Sequence, residues 1–157
     1  MQESVGLLIA SARRRIKQAV LARTAPHRLA VQQFWFLVAL RERPGISQVE
    51  LAERVRADAP TTSRVIASLT RRRLVRTDPD PGDRRRSRLL LTPEGLRLAE
   101  ELSCTAQEIR TAVIHGMTEA ELDALRQGLR RVIANLDRLE AKPSRRVGSA
   151  ARGGGES

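Results

Sequence analysis

Apolar residues recur along most of the chain at three- and four-residue steps, the period that gathers side chains on one face of an α-helix. Val5, Leu8, Ile9, Ala12, Ile16, Ala19 and Val20 mark the first such face, with Arg13, Arg14, Arg15 and Lys17 mostly on its other side. Pro26-His27 interrupts the pattern. A second helix is predicted through Val31, Phe34, Trp35 and Val38, stopping before the punctuating pair Pro44-Gly45. Ser47-Gln48-Val49-Glu50 forms a capping box, in which hydroxyl and carboxylate satisfy each other's backbone N–H groups. Leu51, Ala52 and Val55 are the inner stripe of this short third helix. Pro60 is expected as the first residue of a fourth helix, where its missing N–H costs nothing, and that helix runs to about Arg72. The period then changes. Leu74-Val75-Arg76-Thr77 and Arg88-Leu89-Leu90-Leu91 are short β-like runs on either side of a polar, turn-rich tip, and together they predict a hairpin. Thr92-Pro93-Glu94 opens a fifth helix whose buried stripe is expected to hold Leu96, Ala99, Leu102, Ala106, Ile109 and Val113. After Gly116, Thr118-Glu119-Ala120-Glu121 is a second capping box. Leu122, Leu125, Leu129, Val132, Leu136 and Leu139 then make the a/d seam of a helix that packs lengthwise. From Pro143 the chain turns to Ser, Arg and Gly, and 143–157 is expected to be a disordered basic tail.

The resulting fold class is mainly α with a small β wing: a winged helix-turn-helix flanked by helices. Composition narrows the functional classes. Aromatics are only 2% of the residues, so a core built from the 41% hydrophobic content is largely aliphatic, as packed helices prefer. No apolar run reaches the roughly 18 residues of a membrane span, and the start lacks the charged-then-apolar pattern of a secretion signal. The lone Cys104 cannot form an internal disulfide, which fits a reducing, cytoplasmic setting. A net charge of +11, from 29 basic against 18 acidic residues, favours a polyanionic partner. Only Lys17 and Lys142 are lysines, so some of the arginine excess reflects a general bias, and placement is the stronger argument.

Placement is informative in the fourth helix. At about 100° per residue, Thr62, Val65, Ile66 and Leu69 share an inner face. The outer face holds Pro60, Ser63, Arg64, Ala67 and Arg71. Small residues near its start let such a helix enter a major groove, where hydroxyls and guanidinium groups meet base edges or phosphates. Between Arg54 and Arg88 there are 11 arginines and 4 aspartates. At the hairpin tip, Asp83 precedes Arg84, Arg85 and Arg86, where a carboxylate is suited to orient a guanidinium for a narrow minor groove.

The run from Ile46 to Val55, the run from Asp58 to Leu69, Leu74-Val75-Arg76-Thr77, Asp80-Pro81-Gly82-Asp83-Arg84-Arg85 and Leu91-Thr92-Pro93-Glu94-Gly95 together resemble the MarR-type regulators, over roughly residues 29–98. The resemblance implies a homodimer joined by its first, fifth and sixth helices, with a winged helix-turn-helix lobe at 29–95 and a helical dimerisation region at 1–28 and 96–142. It places Thr61, Ser63 and Arg64 on the recognition helix, Ser47 and Gln48 at a phosphate-contacting helix start, and Arg84 and Arg85 as wing arginines oriented by Asp83. It also implies a pocket for a small aromatic acid or similar effector near the second helix, with His27 and Trp35 as candidate lining residues, although core packing of Phe34-Trp35-Phe36 is the favoured alternative. Three departures stand out: Ala30 replaces a threonine cap, Pro60 replaces a serine, and Thr62 brings a hydroxyl to the buried face.

No metal-ligand spacing surrounds His27 or His115, no catalytic constellation or phosphate loop is present, and no cofactor or enzyme activity is expected. Cys104 is expected to be buried and structural. The function expected is a sequence-specific, ligand-responsive transcriptional regulator, with repression favoured over activation, that binds a pseudo-palindrome in double-stranded DNA. Two alternatives stay open: a low-specificity chromosome-organising protein, and an interaction module that kept the fold without DNA binding.

Overall fold

A computed structural model describes residues 3–83 and 85–141. The order is α1 (Val5–Thr24), a 3-10 turn (Ala25–His27), α2 (Val31–Glu42), α3 (Gln48–Val55), α4 (Ala59–Arg71), β1 (Val75–Pro79), β2 (Ser87–Leu91), α5 (Pro93–Ile114) and α6 (Glu119–Glu140). The fold class is the expected one. Arg84 and the 143–157 tail lie outside the described residues.

The chain divides into two compact units, Met1–His115 and Gly116–Ser157. In the first, α2 is the central element. Phe34, Phe36, Leu37, Val38, Ala39 and Leu40 are all buried, and α2 packs against α1, α3, α4, α5 and β2. Phe34 meets Trp35 edge-on, with ring centroids 4.8 Å apart. Only Trp35 of the aromatic trio reaches the edge of the core, where it is half-buried. Without a threonine at its start, α2 is capped by half a box: the Ala30 N–H donates to Gln33 Oε1 at 3.0 Å. The same Gln33 amide donates to Ser68 of α4 at 2.9 Å, so one side chain caps one helix and tethers another.

α1 and α5 are less buried than their periodicity predicts. Leu8 is 47% exposed, Leu96 43% and Val113 51%, so the assignment of Leu96 and Val113 to the buried stripe of α5 is corrected. The stripe that is buried comprises Ala99, Leu102, Ala106 and Ile109. Cys104 is exposed, contrary to expectation, because two residues past Leu102 the helix has turned by about 200°, away from that stripe.

The hairpin pairs antiparallel, with Val75 opposite Leu91 and Pro79 opposite Ser87. It lies slightly toward the tip relative to prediction, because Leu74 serves as a junction instead of a strand residue. The N–H of Gly45 donates to Leu89 at 3.0 Å and the N–H of Leu89 to Ile46 at 2.9 Å, so the α2–α3 loop pairs with the other edge of β2. Gly45 makes that approach at φ +79°, which glycine adopts without strain. At the base, a Cβ on Gly95 would lie 1.9 Å from the Leu74 carbonyl oxygen. α5 can therefore start against the Leu74 backbone, just before β1, only with glycine there. In the second unit, α6 begins with the predicted capping box of Thr118 and Glu121. Leu125, Leu129, Leu136 and Leu139 of its seam are exposed in the single chain.

Candidate nucleic-acid interface

The α3–α4 pair carries most of the predicted contacts. Ser47 is the N-cap of α3: its Oγ accepts the Glu50 N–H at 3.2 Å and donates to the Glu50 carboxylate at 2.5 Å. The Glu50 pKa is lowered chiefly by the Ser47 hydroxyl and by the Ser47 N–H, which donates to the same carboxylate at 2.9 Å, with further help from the charges of Arg86 and Arg43. Wing and helix start are thus electrostatic neighbours. Gln48, next in line, donates its amide to Ser63 Oγ at 2.6 Å, which joins the start of α3 to the outer face of α4.

α4 starts one residue earlier than predicted. Ala59 is its first residue and Pro60 its second, because Asp58 takes the cap: the Thr61 N–H donates to Asp58 Oδ1 at 2.6 Å. That bond is the main cause of the lowered Asp58 pKa. Inside, Thr62, Val65, Ile66 and Leu69 are all buried, as the helical period required. The Thr62 hydroxyl donates to the Asp58 carbonyl at 2.8 Å, the local partner that a buried hydroxyl needs. Outside, Ser63, Arg64 and Arg71 are exposed, and Arg64 donates to Thr61 Oγ1 at 3.2 Å. The C-terminal end is held by Arg72, which donates to the carbonyls of His27 and Arg28 at 3.0 and 3.2 Å. The α4 helix is therefore fixed at both ends.

The wing tip is built from aspartates. Asp80 Oδ1 accepts the N–H groups of Gly82 at 2.7 Å and Asp83 at 3.2 Å. Asp83 Oδ1 accepts the Arg85 N–H at 3.0 Å, so among the described residues Asp83 orients the backbone of the turn and not a guanidinium. Arg85 and Arg86 are left exposed on the resulting loop, and Arg84 lies outside the described residues. Arg76 and Asp78 pair along β1.

The two candidate effector residues are not brought into one pocket. Trp35 lines a cleft of about 430 Å³ with Ala39, Glu42, Arg54, Val55 and Arg110. His27 is not among these residues. Its ring faces Glu101 of α5 at 3.9 Å, and its carbonyl serves Arg72. In the cleft, Glu42 accepts from Arg54 at 2.5 Å and from Arg110 at 2.7 Å. Burial would raise the Glu42 pKa, but the two guanidinium groups together bring it below the ordinary value.

Sequence reasoning missed Asp58, Asp80, Arg72 and the Glu42–Arg54–Arg110 cluster. An acid three residues before Thr61 was a readable cap signal for Asp58. Glu42, Arg54 and Arg110 come from three helices, and no local pattern joins them. Among the described residues, no group of three or more His, Cys, Asp or Glu is placed to hold a metal ion, and no helix is long and apolar enough to cross a membrane.

Comparison with known proteins agrees with this architecture. Residues 29–86 match the MarR family. The chain is 31% identical over 131 residues to the HTH-type transcriptional repressor NicR of Pseudomonas putida, covering 83% of each. It is similar to the structure of Bordetella bronchiseptica BpsR, whose DNA binding is regulated by 6-hydroxynicotinic acid. The TM-score is 0.68 and the identity 32%, with 83% of this chain and 93% of that one covered. The S. aureus MepR–DNA complex shares the fold, with TM-score 0.72 at 20% identity, covering 85% of this chain and 99% of that one. From its capped α4 helix to its aspartate-built wing, the chain belongs to the MarR family of transcriptional regulators.

Proposed function

We propose that the protein is a ligand-responsive repressor that acts in the cytoplasm as a homodimer, binds a pseudo-palindromic operator, and regulates without catalysing a reaction. One observation carries the reading: the outer face of α4 presents Ser63, Arg64 and Arg71 to solvent while its other face is fully buried in the lobe. A helix exposed in this way, small at its start and cationic beyond it, suits the width of a major groove. Thr61, Ser63, Arg64 and Arg71 are the candidate base and phosphate contacts. Ser47 and Gln48 bring the N-terminal end of α3 to a phosphate, where its unpaired N–H groups favour an anion. Arg85 and Arg86, on the loop organised by Asp83, and their sequence neighbour Arg84 are the candidates for the flanking minor groove.

Two supports come from relatives. NicR is a repressor and BpsR responds to 6-hydroxynicotinic acid, so an effector of similar chemistry is the first to try here. The Trp35 cleft is the candidate site for it, and His27 drops to the periphery. Dimerisation is supported by the apolar side chains left exposed on α1, α5 and α6. Twofold symmetry would set half-site centres about 10 bp apart.

The test is selection of bound fragments from random DNA, followed by titration at fixed salt. A palindromic consensus is expected. Arg64→Ala should weaken binding by about 1–3 kcal/mol and relax the preference at one position per half-site. Equal affinity for selected and random fragments would favour the chromosome-organising alternative, and unchanged binding by the variant would remove Arg64 from the interface.

A further inference from the structure

Glu42 is the last residue of α2, and its two oxygens serve two other helices. Oε2 accepts from Arg54 Nη2 on α3 at 2.5 Å, and Oε1 accepts from Arg110 Nη1 on α5 at 2.7 Å. A single carboxylate thus ties the helix-turn-helix to the long helix behind it. Its side chain is only 27% exposed, against 39% for Arg54 and 46% for Arg110, so the bond lies at the wall of the cleft, not on an open surface. Two cations share one anion there. Arg110 also lies over the Trp35 ring, its Cζ 6.0 Å from the centroid. The cleft of about 430 Å³ is within the size range of small-molecule sites.

We propose that Glu42 is a built-in competitor for an anionic effector: a planar aromatic monocarboxylate stacks on Trp35, takes Arg110 from Glu42, and thereby releases α3 from α5. The proposal rests on the ligand-responsive reading and adds to it the residue that the effector displaces. A planar guanidinium matches one carboxylate in a fork, so Arg110 cannot serve Glu42 and a ligand equally well. Once Arg110 turns to the ligand, Glu42 holds α3 to α2 alone. Movement of α3 reaches the recognition surface directly, because Gln48 at its start is bonded to Ser63 on α4. The effector then acts by its unequal affinity for the tied and untied states, which is the only way a ligand shifts such an equilibrium.

The chain's single tryptophan is Trp35, which lines the cleft, so its fluorescence responds to a ligand bound there. Benzoate is titrated into the wild-type protein and Glu42→Gln, with uncharged benzamide as the control. Benzoate should perturb Trp35 in both proteins and bind Glu42→Gln about tenfold more tightly, because the competing charge is gone, while benzamide binds the two alike. Without any additive, Glu42→Gln should bind the DNA fragment selected by wild type about fivefold more weakly, as a protein whose competent state is less populated. Arg110→Met, which leaves Glu42 and Arg54 paired, should no longer distinguish benzoate from benzamide; it serves equally if Glu42→Gln fails to fold. Equal benzoate affinity in wild type and Glu42→Gln, or no response of Trp35, overturns the competition. Unchanged DNA affinity in a Glu42→Gln protein with wild-type thermal unfolding overturns the coupling. The fluorescence arm uses no DNA, so failure to select a palindrome would sink the regulator reading separately.

Discussion

Thr62 and Gly95 are both buried, small and central to the lobe, yet they tolerate change very differently. The Thr62 hydroxyl donates to the Asp58 carbonyl, but that carbonyl also accepts the Thr62 N–H at 2.9 Å. Thr62→Val removes a donor together with its need and leaves the acceptor satisfied, so stability should change by less than about 1 kcal/mol in a urea titration. Gly95 has no such latitude. A Cβ there would sit 1.9 Å from backbone, and backbone cannot swing aside as a flexible side chain does. Gly95→Ala should cost about 3 kcal/mol, the upper end for overpacking, or give no folded protein at all. A Gly95→Ala protein as stable as wild type would mean that α5 does not start against Leu74 as described.

Three helices begin with a carboxylate engaged in capping: α3 through Glu50, α4 through Asp58 and α6 through Glu121. Each has its pKa lowered, Glu50 by the Ser47 hydroxyl and backbone, Asp58 by Thr61, and Glu121 by Thr118. A carboxylate with a depressed folded pKa binds fewer protons in the native state than in the unfolded one. Its contribution is present above the ordinary values of 4.5 for glutamate and 3.8 for aspartate, and is lost as pH falls through the folded values. Unfolding free energy should therefore decline below about pH 4.5. The variant Glu50→Gln/Asp58→Asn/Glu121→Gln, which has no titrating caps, should show a flatter acid limb in chemical denaturation, and an unchanged limb would place the acid sensitivity elsewhere. At this scale the sequence was most legible. Serine or threonine followed three residues later by glutamate is a local pattern, and two such boxes formed as predicted. Cap position was less legible at α4, where Pro60 drew attention from the stronger acceptor at Asp58. The strand ends moved for a related reason: the register depends on Leu89 pairing with the α2–α3 loop as well as with β1.

At the scale of the molecule, the exposed apolar side chains suit the proposed dimer. Leu125, Leu129, Leu136 and Leu139 on α6 are each 39% exposed or more, as are Val5, Leu7 and Leu8 on α1. Large exposed apolar surface of this kind marks an interaction site. In the proposed dimer, Leu136→Arg would bury an unpaired charge at the twofold contact. It should shift the protein toward monomer at micromolar concentration in sedimentation and weaken operator binding with it, while a variant that sediments like wild type would exclude this face from the interface. With two lobes and several arginines on each, the logarithm of the binding constant should fall steeply with the logarithm of salt, with a slope of about −5 or steeper. A shallow slope would argue against phosphate contact by both wings.

Local chemistry in the sequence was enough to set the helices, the hairpin, the buried and exposed faces of α4, and the cationic character of the middle of the chain, because periodicity, capping and turn residues act over a few positions. It could not say that Cys104 faces outward, that Asp83 holds a backbone turn, or that His27 stays out of the cleft, since each depends on which neighbour a helix or loop meets. Tertiary packing alone brought Glu42, Arg54 and Arg110 together from helices far apart in the chain. Charges so separated carry no mutual signal until the core of α2 is buried and the helix ends converge.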